Sequence, residues 1–319
     1  MIKRKFEIMS SSSKIWNRYM IVLGILPAII VFLIITLIPS VTTAVLSFTN
    51  ISGIPGAEWE FIGLENYREF FVLQNKRDTI MYFKNTFKFS FMVTVIQMTL
   101  SLLIALLLNS KFIYRKLAIF ARAAVFLPQV LGVTLVGLAW TAVLNPMDGP
   151  MSMLFGLFGI KKTAFLADWD HAIDWVITIQ IWLGMGFSTV IFLAGLQNIP
   201  TDLYEAGVID GTTGFQAFRY ITLPLIWPQV TVNAVVCVIG TLTNYQTFYV
   251  TTAGDFNTMT LGMKMFMTAF GGGRTALQGG SGGFLRQGYA AAVAMILFII
   301  VLVFTVLTQY VFSRREEEI

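Results

Sequence analysis

Residues 200–228 read PTDLYEAGVIDGTTGFQAFRYITLPLIWP. This polar, turn-rich stretch lies between two long apolar runs, residues 175–196 and 225–253, neither of which contains a charged side chain. A helix needs about 20 apolar residues to cross a bilayer, so both flanks are long enough to do so. The stretch between them must stand in water or against another protein. Its local chemistry predicts two short helices joined by an elbow. Pro200 suits a lead-in turn. Asp202, with Glu205 three residues on, predicts a capping pair, and both carboxylates suit the positive end of a helix dipole. Gly211, after Asp210, is the expected stop. A second helix is expected from Thr213 to Tyr220, limited by Pro224 and Pro228. Gly207 and Gly211, four apart with Ala206 alongside, predict a small-residue face that another backbone approaches closely.

Composition sets the wider frame. Of 319 residues, 56% are apolar and 12% charged, with a mean hydropathy of +0.74. Soluble domains carry about 25% charged residues, so the chain reads as an all-α integral membrane protein. The net charge of +5 is no nucleic-acid signal, because its basic residues gather at the ends of apolar runs, as membrane orientation requires. The single cysteine, Cys237, and single histidine, His171, exclude an internal disulfide and any Cys- or His-paired metal site. His171, among Asp168, Asp170 and Asp174, reads as a solvated turn.

Working outward, residues 1–20 form a basic tail with Lys3, Arg4, Lys5, Lys14 and Arg18. The apolar run that follows is longer than a signal core and lacks a prompt cleavage site, so it reads as a retained span. Six spans are expected, at about 21–46, 89–108, 123–144, 175–196, 225–253 and 288–312, with Pro27, Pro39 and Pro128 predicting kinks. The loops at 49–84 and 151–172 fall on one side. The basic loop with Lys111, Arg115 and Lys116, the elbow at 197–224 and the charged tail at 313–319 fall on the other, together with both termini. The positive-inside tendency makes that side cytoplasmic. The elbow itself carries Asp202, Glu205 and Asp210 against Arg219 alone, so its placement rests on counting spans. Residues 261–270 are too short to span, contain Lys264, and are expected to be a surface helix beside the glycines at 271–273 and 279–283.

Glu205-Ala206-Gly207, Gly211, and Ile221, Leu223 and Pro224 fall at the spacing of the EAA signature. In this the chain resembles the permease subunits of binding-protein-dependent ABC importers. Asp202-Leu203-Tyr204 and Asp210 extend the likeness toward the carbohydrate branch, and Gly207 stands where Ala is usual. Phe61-Ile62-Gly63-Leu64-Glu65-Asn66-Tyr67 is similar to a stretch in the first, maltose-type permease of such importers, without that protein's large extracytoplasmic insertion. The resemblance implies a type I ABC importer permease fold in the plasma (inner) membrane of a prokaryote, importing a sugar or oligosaccharide by alternating access. It also implies a second homologous permease, an extracytoplasmic solute-binding protein, and two ATPase subunits that bind ATP and Mg and press on Asp202, Glu205, Ala206, Gly207, Asp210, Gly211, Leu223 and Pro224. The chain itself has no Gly-x4-Gly-Lys-Ser/Thr phosphate loop and no paired catalytic groups. It is therefore expected to be neither an enzyme nor a cofactor binder.

Polar residues inside spans face a cavity or a partner helix. Asn233, Cys237, Thr241 and Asn244 recur at helical spacing, with Tyr245 and Gln246 adjoining. Gln180, Gly184, Phe187 and Ser188 share a face of the preceding span, where Gly184 and Gly186 would leave room for a ligand beside Trp182. By spacing from the signature, Gln180, Gly184, Phe187, Cys237, Thr241, Asn244 and Tyr245 fall where maltose-type permeases hold sugar. Gln97 and Gln129 are weaker candidates. Helix–helix packing through the same residues is the open alternative. A stand-alone secondary transporter or channel is the rival function. The absence of acidic or basic residues from the span cores counts against ion coupling.

Overall fold

A computed structural model describes residues 20, 22–73, 76–110, 115–159, 164–271 and 285–317. Most of the basic tail, Lys111 and the glycines at 272–273 and 279–283 lie outside the described residues. Among those described, the elements are helical and the extended pairing is an isolated bridge, Thr49 with Phe61. Five helices are long and apolar enough to cross a membrane: α1 (Val22–Leu46), α3 (Lys76–Asn109), α4 (Arg115–Val143), α6 (Ala172–Gln197) and α12 (Gln287–Glu317). A bent pair, α8 (Gly214–Leu225) and α9 (Trp227–Leu242), meeting at 65°, makes a sixth if the two are counted as one broken span. Shorter helices fill the ends: α2 (Glu65–Arg68), α5 (Pro150–Leu157), α7 (Thr201–Ile209), α10 (Gln246–Thr251) and α11 (Leu261–Phe270).

Helix α6 is the centre. It packs most extensively on α3 and then on α4, while α9 lies against α3 and α12. One core cluster, including Phe89, Val93, Val176 and Phe248, joins α3, α6 and α10. Another, including Leu108, Phe192, Leu196 and Ile226, lies toward the elbow. Among the long helices, helix α1 leans chiefly on α12 and leaves its apolar side chains outward.

The 61–67 stretch has a structural explanation. The Asn66 amide donates to the carbonyls of Ser47 (2.9 Å) and Thr49 (2.8 Å), and the Tyr67 hydroxyl to Ser47 Oγ (2.8 Å). These bonds occupy carbonyls that the end of α1 leaves unpaired. The same end meets the start of α12, where Gly288 N–H donates to Ile51 O at 2.9 Å. At the far end, Trp227 Nε1–H donates to Phe312 O at 2.9 Å and the two rings stack. The start of α1, the end of α12 and the elbow therefore share one end of the bundle.

Several expectations need correction. Helix α3 begins at Lys76, well before residue 89, because no Gly or Pro interrupts 76–109; charge ends the apolar run there, not the helix. Helix α4 breaks at Gly132 (φ 76°, ψ 160°), four residues past Pro128. Ahead of Pro39, whose missing N–H removes a rung from the ladder, α1 widens into a π-turn at Leu33–Leu37. The expected span at 225–253 is not one helix. It stops at Leu242, where Thr243 Oγ1 donates to Ile239 O (2.8 Å) and Asn244 Oδ1 accepts from Thr247 N–H (3.3 Å), polar side chains competing with the helical ladder. Helix α11 is no surface helix: Leu261, Gly262 and Met263 are buried, and it packs on α12 and α3.

Candidate functional site

The elbow is built from α7 and α8. Helix α7 starts two residues earlier than predicted, with Pro200 in the capping position, so Asp202 falls inside the first turn and the Asp202–Glu205 capping pair does not form. A capping box forms instead at α8: Thr213 Oγ1 accepts from Gln216 N–H, and Thr213 N–H donates to Gln216 Oε1 at 2.7 Å. Asp202 still lies where the helix dipole favours a carboxylate.

The two glycines do different work. Gly211 takes φ +76° directly after the α7 cap, and a Cβ there would meet nothing within 4 Å. Gly207 is the close-approach position: it is buried, and a Cβ would stand 2.9 Å from Thr212 Oγ1 and 3.0 Å from Ile221 Cδ1. Thr212 Oγ1 also donates to Gly207 O (2.7 Å), and the hydroxyls of Tyr204 and Thr222 share a 2.9 Å bond. Helix α7 is thus folded back on α8, with a π-turn at Phe218–Thr222 between them and the bend. Leu223 and Pro224 are half-buried in the last turn of α8. The outer face bears Asp202, Glu205, Ala206 and Asp210. Beside them stand Val208, Ile209, Phe215 and Tyr220, each 74–86% exposed. Covering one such side chain stabilises a contact by about 1.5–3 kcal/mol. An apolar knob on a polar segment fits a protein partner better than open water.

Between the long helices, Gln180, Gly184, Phe187, Cys237 and Thr241 line one cleft of about 260 Å³, together with Gln97 and Gln129. Helical spacing brought these side chains to one place, but it mislocated two others. Asn244 sits in the α9–α10 break and donates to Gln180 Oε1 at 3.1 Å, beside the 2.6 Å bond from Thr247 Oγ1 to the same oxygen. Tyr245 stacks on Phe266, with centroids 4.4 Å apart. Neither lines the cleft. Beneath it runs a buried network. Gln97 Nε2 donates to Ser188 Oγ (2.8 Å) and Cys237 Sγ (3.4 Å), Ser188 Oγ donates to Asn233 Oδ1 (3.0 Å), and the hydroxyls of Ser90 and Thr241 share a 2.8 Å bond. This wall both joins α3, α6 and α9 and presents amides to the cleft.

Gly184 lines the cleft, but it and Gly186 are also close-approach positions with no room for a side chain. A Cβ on Gly184 would lie 2.5 Å from Gln97 Oε1, and one on Gly186 would lie 2.5 Å from Val125 O of the α4 backbone. Sequence spacing understated Gln97 and missed Thr247. A lone amide in an apolar run was the available signal for the first; the second lay beyond a break that no period reveals.

At the other end of the bundle, Arg286 donates to both carboxylate oxygens of Glu69 at 2.6 Å. That hydrogen-bonded pair holds the Glu69 carboxyl below its ordinary range. Lys264, half-buried between the rings of Tyr82 and Tyr289, has its ammonium pushed down first by burial and then by Arg286. Among the described residues, no three His, Cys, Asp or Glu side chains converge as metal ligands. His171 is exposed at the start of α6, with Nδ1 3.7 Å from Asp174.

Known proteins align with this architecture along nearly its whole length. A permease of the trehalose/maltose transport system from Thermococcus litoralis is 30% identical over 89% of this chain and 90% of its own. A probable ABC transporter permease from Bacillus subtilis is 29% identical over 95% of this chain and 99% of its own. An arabinooligosaccharides transport system permease from the same organism is 26% identical over 88% and 85%. Among solved structures, a bacterial ABC transporter for the import of alginate superposes with a TM-score of 0.75 at 22% identity, covering 95% of this chain and 98% of that one. The family described as the binding-protein-dependent transport system inner membrane component matches residues 7–317, and this chain, a multi-pass membrane protein of ABC permease fold, belongs to it.

Proposed function

We propose that the chain imports a sugar or oligosaccharide across the inner membrane of a prokaryote by alternating access, driven from its elbow by separate ATPase subunits. The observation that carries this reading is the elbow: a folded, self-packed unit at one end of α6, exposing four large apolar side chains beside Glu205 and Asp202. The sugar systems named for several relatives support the solute class. The remaining parts are a second homologous permease, an extracytoplasmic binding protein and a pair of ATPases that hold ATP and Mg. The elbow, both chain ends and Arg314 and Arg315 then lie in the cytoplasm. Coupling acts through Asp202, Glu205, Ala206, Gly207, Asp210, Gly211, Leu223 and Pro224, and solute passes by the cleft of Gln180, Gly184, Phe187, Cys237 and Thr241.

The test is Glu205→Lys. The side chain is exposed, so the variant should reach the membrane in normal amount yet lose ATP-driven uptake. Normal uptake in that variant removes the elbow from the mechanism.

A further inference from the structure

A second and larger cleft, about 990 Å³, opens at the end away from the elbow, between the start of α3, the turn leading into α6 and the turn at 254–259. Trp169 and Phe256 present rings to it, while Tyr82 lines its floor, 7% exposed and with the Lys264 ammonium 5.9 Å from its ring. Trp169 is 68% exposed and meets Phe256 edge-on at 6.0 Å. Among the rings stand three carboxylates, Asp78, Asp170 and Asp255, against one guanidinium, Arg77.

The wall at 254–259 is firmly set. Ala253, Phe256 and Asn257 all adopt left-handed φ (54°, 53° and 59°), a conformation that costs about 1–2 kcal/mol for each such residue. Neighbours hold it there. The buried Asn85 amide donates to the carbonyls of Asn257 (2.7 Å) and Met259 (3.0 Å), and the Thr252 and Thr258 hydroxyls share a 2.7 Å bond. A strained segment persists only where its surroundings over-determine it, and such segments cluster at ligand sites.

The chemistry narrows the occupant. Aromatic faces suit the C–H faces of sugar rings, and carboxylates accept from paired hydroxyls. A purely apolar ligand would strip water from the carboxylates without replacing its hydrogen bonds. A metal ion finds no converging ligand set among the described residues. An anionic ligand meets net negative charge. Along α3, Tyr82 and Gln97 are fifteen positions apart, about 22 Å at 1.5 Å per residue, so this cleft is distinct from the inner one.

We propose that this is an outer binding site for a neutral oligosaccharide, and that Asp78, Asp170 and Asp255 make it discriminate against acidic sugars. The proposal rests on the import reading and assigns the charge class of the solute.

The experiment uses the assembled complex in lipid nanodiscs without its binding protein, and reads sugar binding by saturation-transfer NMR. The probes are maltopentaose, arabinopentaose and pentagalacturonate. A neutral pentasaccharide should bind and the galacturonate should not. Trp169→Ala should weaken neutral binding about two- to tenfold, the range for losing one aromatic contact. Asp170→Asn with Asp255→Asn should improve galacturonate binding about threefold per carboxylate, the attraction or repulsion of unit charges some 6 Å apart in water. Failure of both neutral sugars to bind, equal binding of galacturonate to the unaltered complex, or indifference to Trp169→Ala overturns the proposal. A Trp169→Ala complex that binds sugar normally but docks the loaded binding protein poorly assigns the cleft to a protein contact and also overturns it. ATP-driven uptake by the unaltered complex with its binding protein, measured in vesicles, judges the import reading separately.

Discussion

Gly186→Ala places a methyl group 2.5 Å from Val125 O and 2.9 Å from Phe126 Cα. Both atoms belong to the α4 backbone, so no side chain can swing away and the α4–α6 crossing must open. Overpacking of this kind costs about 1–3 kcal/mol, and backbone contact puts it near the upper figure. Replacing a helical glycine by alanine returns about 1 kcal/mol, leaving a net loss of about 2 kcal/mol. For a chain of 319 residues that lowers the melting temperature by about 3 °C. Gly184→Ala supplies the control. Its methyl would stand 2.5 Å from Gln97 Oε1, the end of a side chain that can turn aside, with loss of its 2.8 Å bond to Ser188, about 1 kcal/mol. Adding Gln97→Ala should relieve the clash at position 184 and leave the loss at 186 untouched. The assay is a thermal melt of the purified complex in nanodiscs. If Gly186→Ala melts with the parent, or if Gln97→Ala rescues both glycine variants equally, the crossing is not held by backbone contact at Gly186.

Two further outcomes are expected. Asn244→Leu removes the 3.1 Å bond to Gln180 and both 3.3 Å bonds with Thr247 but spares the 2.6 Å bond from Thr247 to Gln180, so the complex should assemble with a loss of about 2–3 kcal/mol. Solute-stimulated uptake should then fall more than basal ATP turnover, and an equal fall makes Asn244 a packing residue. Glu69 has its carboxyl held below the ordinary value, so its ion pair with Arg286 contributes stability above that value and loses it as pH falls through the lowered one. The melting temperature of the parent should therefore drop on acidification through and below the usual carboxylate range. Glu69→Gln should start lower and be flatter across the same window, and parallel curves would show that the pair contributes nothing.

The sequence made the bundle legible wherever charge marks the end of a helix. Residues 175–196 were read as a span and α6 runs Ala172–Gln197, because acids before it and the elbow after it bound both ends. The same signal does not bound α3, since Lys84 and Lys88 end an apolar run without breaking the helix that continues back to Lys76. Period-based reading gathered Gln180, Gly184, Phe187, Cys237 and Thr241 into one cleft, but it carried Asn244 onto a helix that had already stopped at Leu242. The Asp202–Glu205 capping pair does not form because Pro200 takes the cap of α7, and the capping box that does form belongs to the next helix, between Thr213 and Gln216. What faces a glycine is invisible in one dimension. Gly184, Gly186, Gly207 and Gly211 looked alike as small residues, yet they answer respectively to a side chain, a neighbouring backbone, the packed α8 and a left-handed turn.

The distribution of breaks says where displacement can be absorbed. Helices α3 and α6 run unbroken through 34 and 26 residues and share the largest interface, so they behave as one body. Helix α9 differs: its 16 residues lie between the 65° bend at Ile226 and the Thr243–Tyr245 break. Changes of φ and ψ confined to helix ends are how packed elements swing without unpacking. Trp227 fixes the first of those ends to α12 through Phe312, which makes the bend a pivot rather than a free joint. The elbow joins this unit directly through α8 and its π-turn. Under the import reading, force on Glu205 and its apolar neighbours therefore reaches α9 first, and α9 carries Cys237 and Thr241, one wall of the inner cleft, past the Gln97 and Gln180 wall on α3 and α6. The buried bonds from Gln97 to Cys237, from Ser188 to Asn233 and between Ser90 and Thr241 span that boundary. They must exchange partners when it slides, which accounts for uncharged amides, hydroxyls and a thiol there in place of an ion pair whose breakage would strand a buried charge.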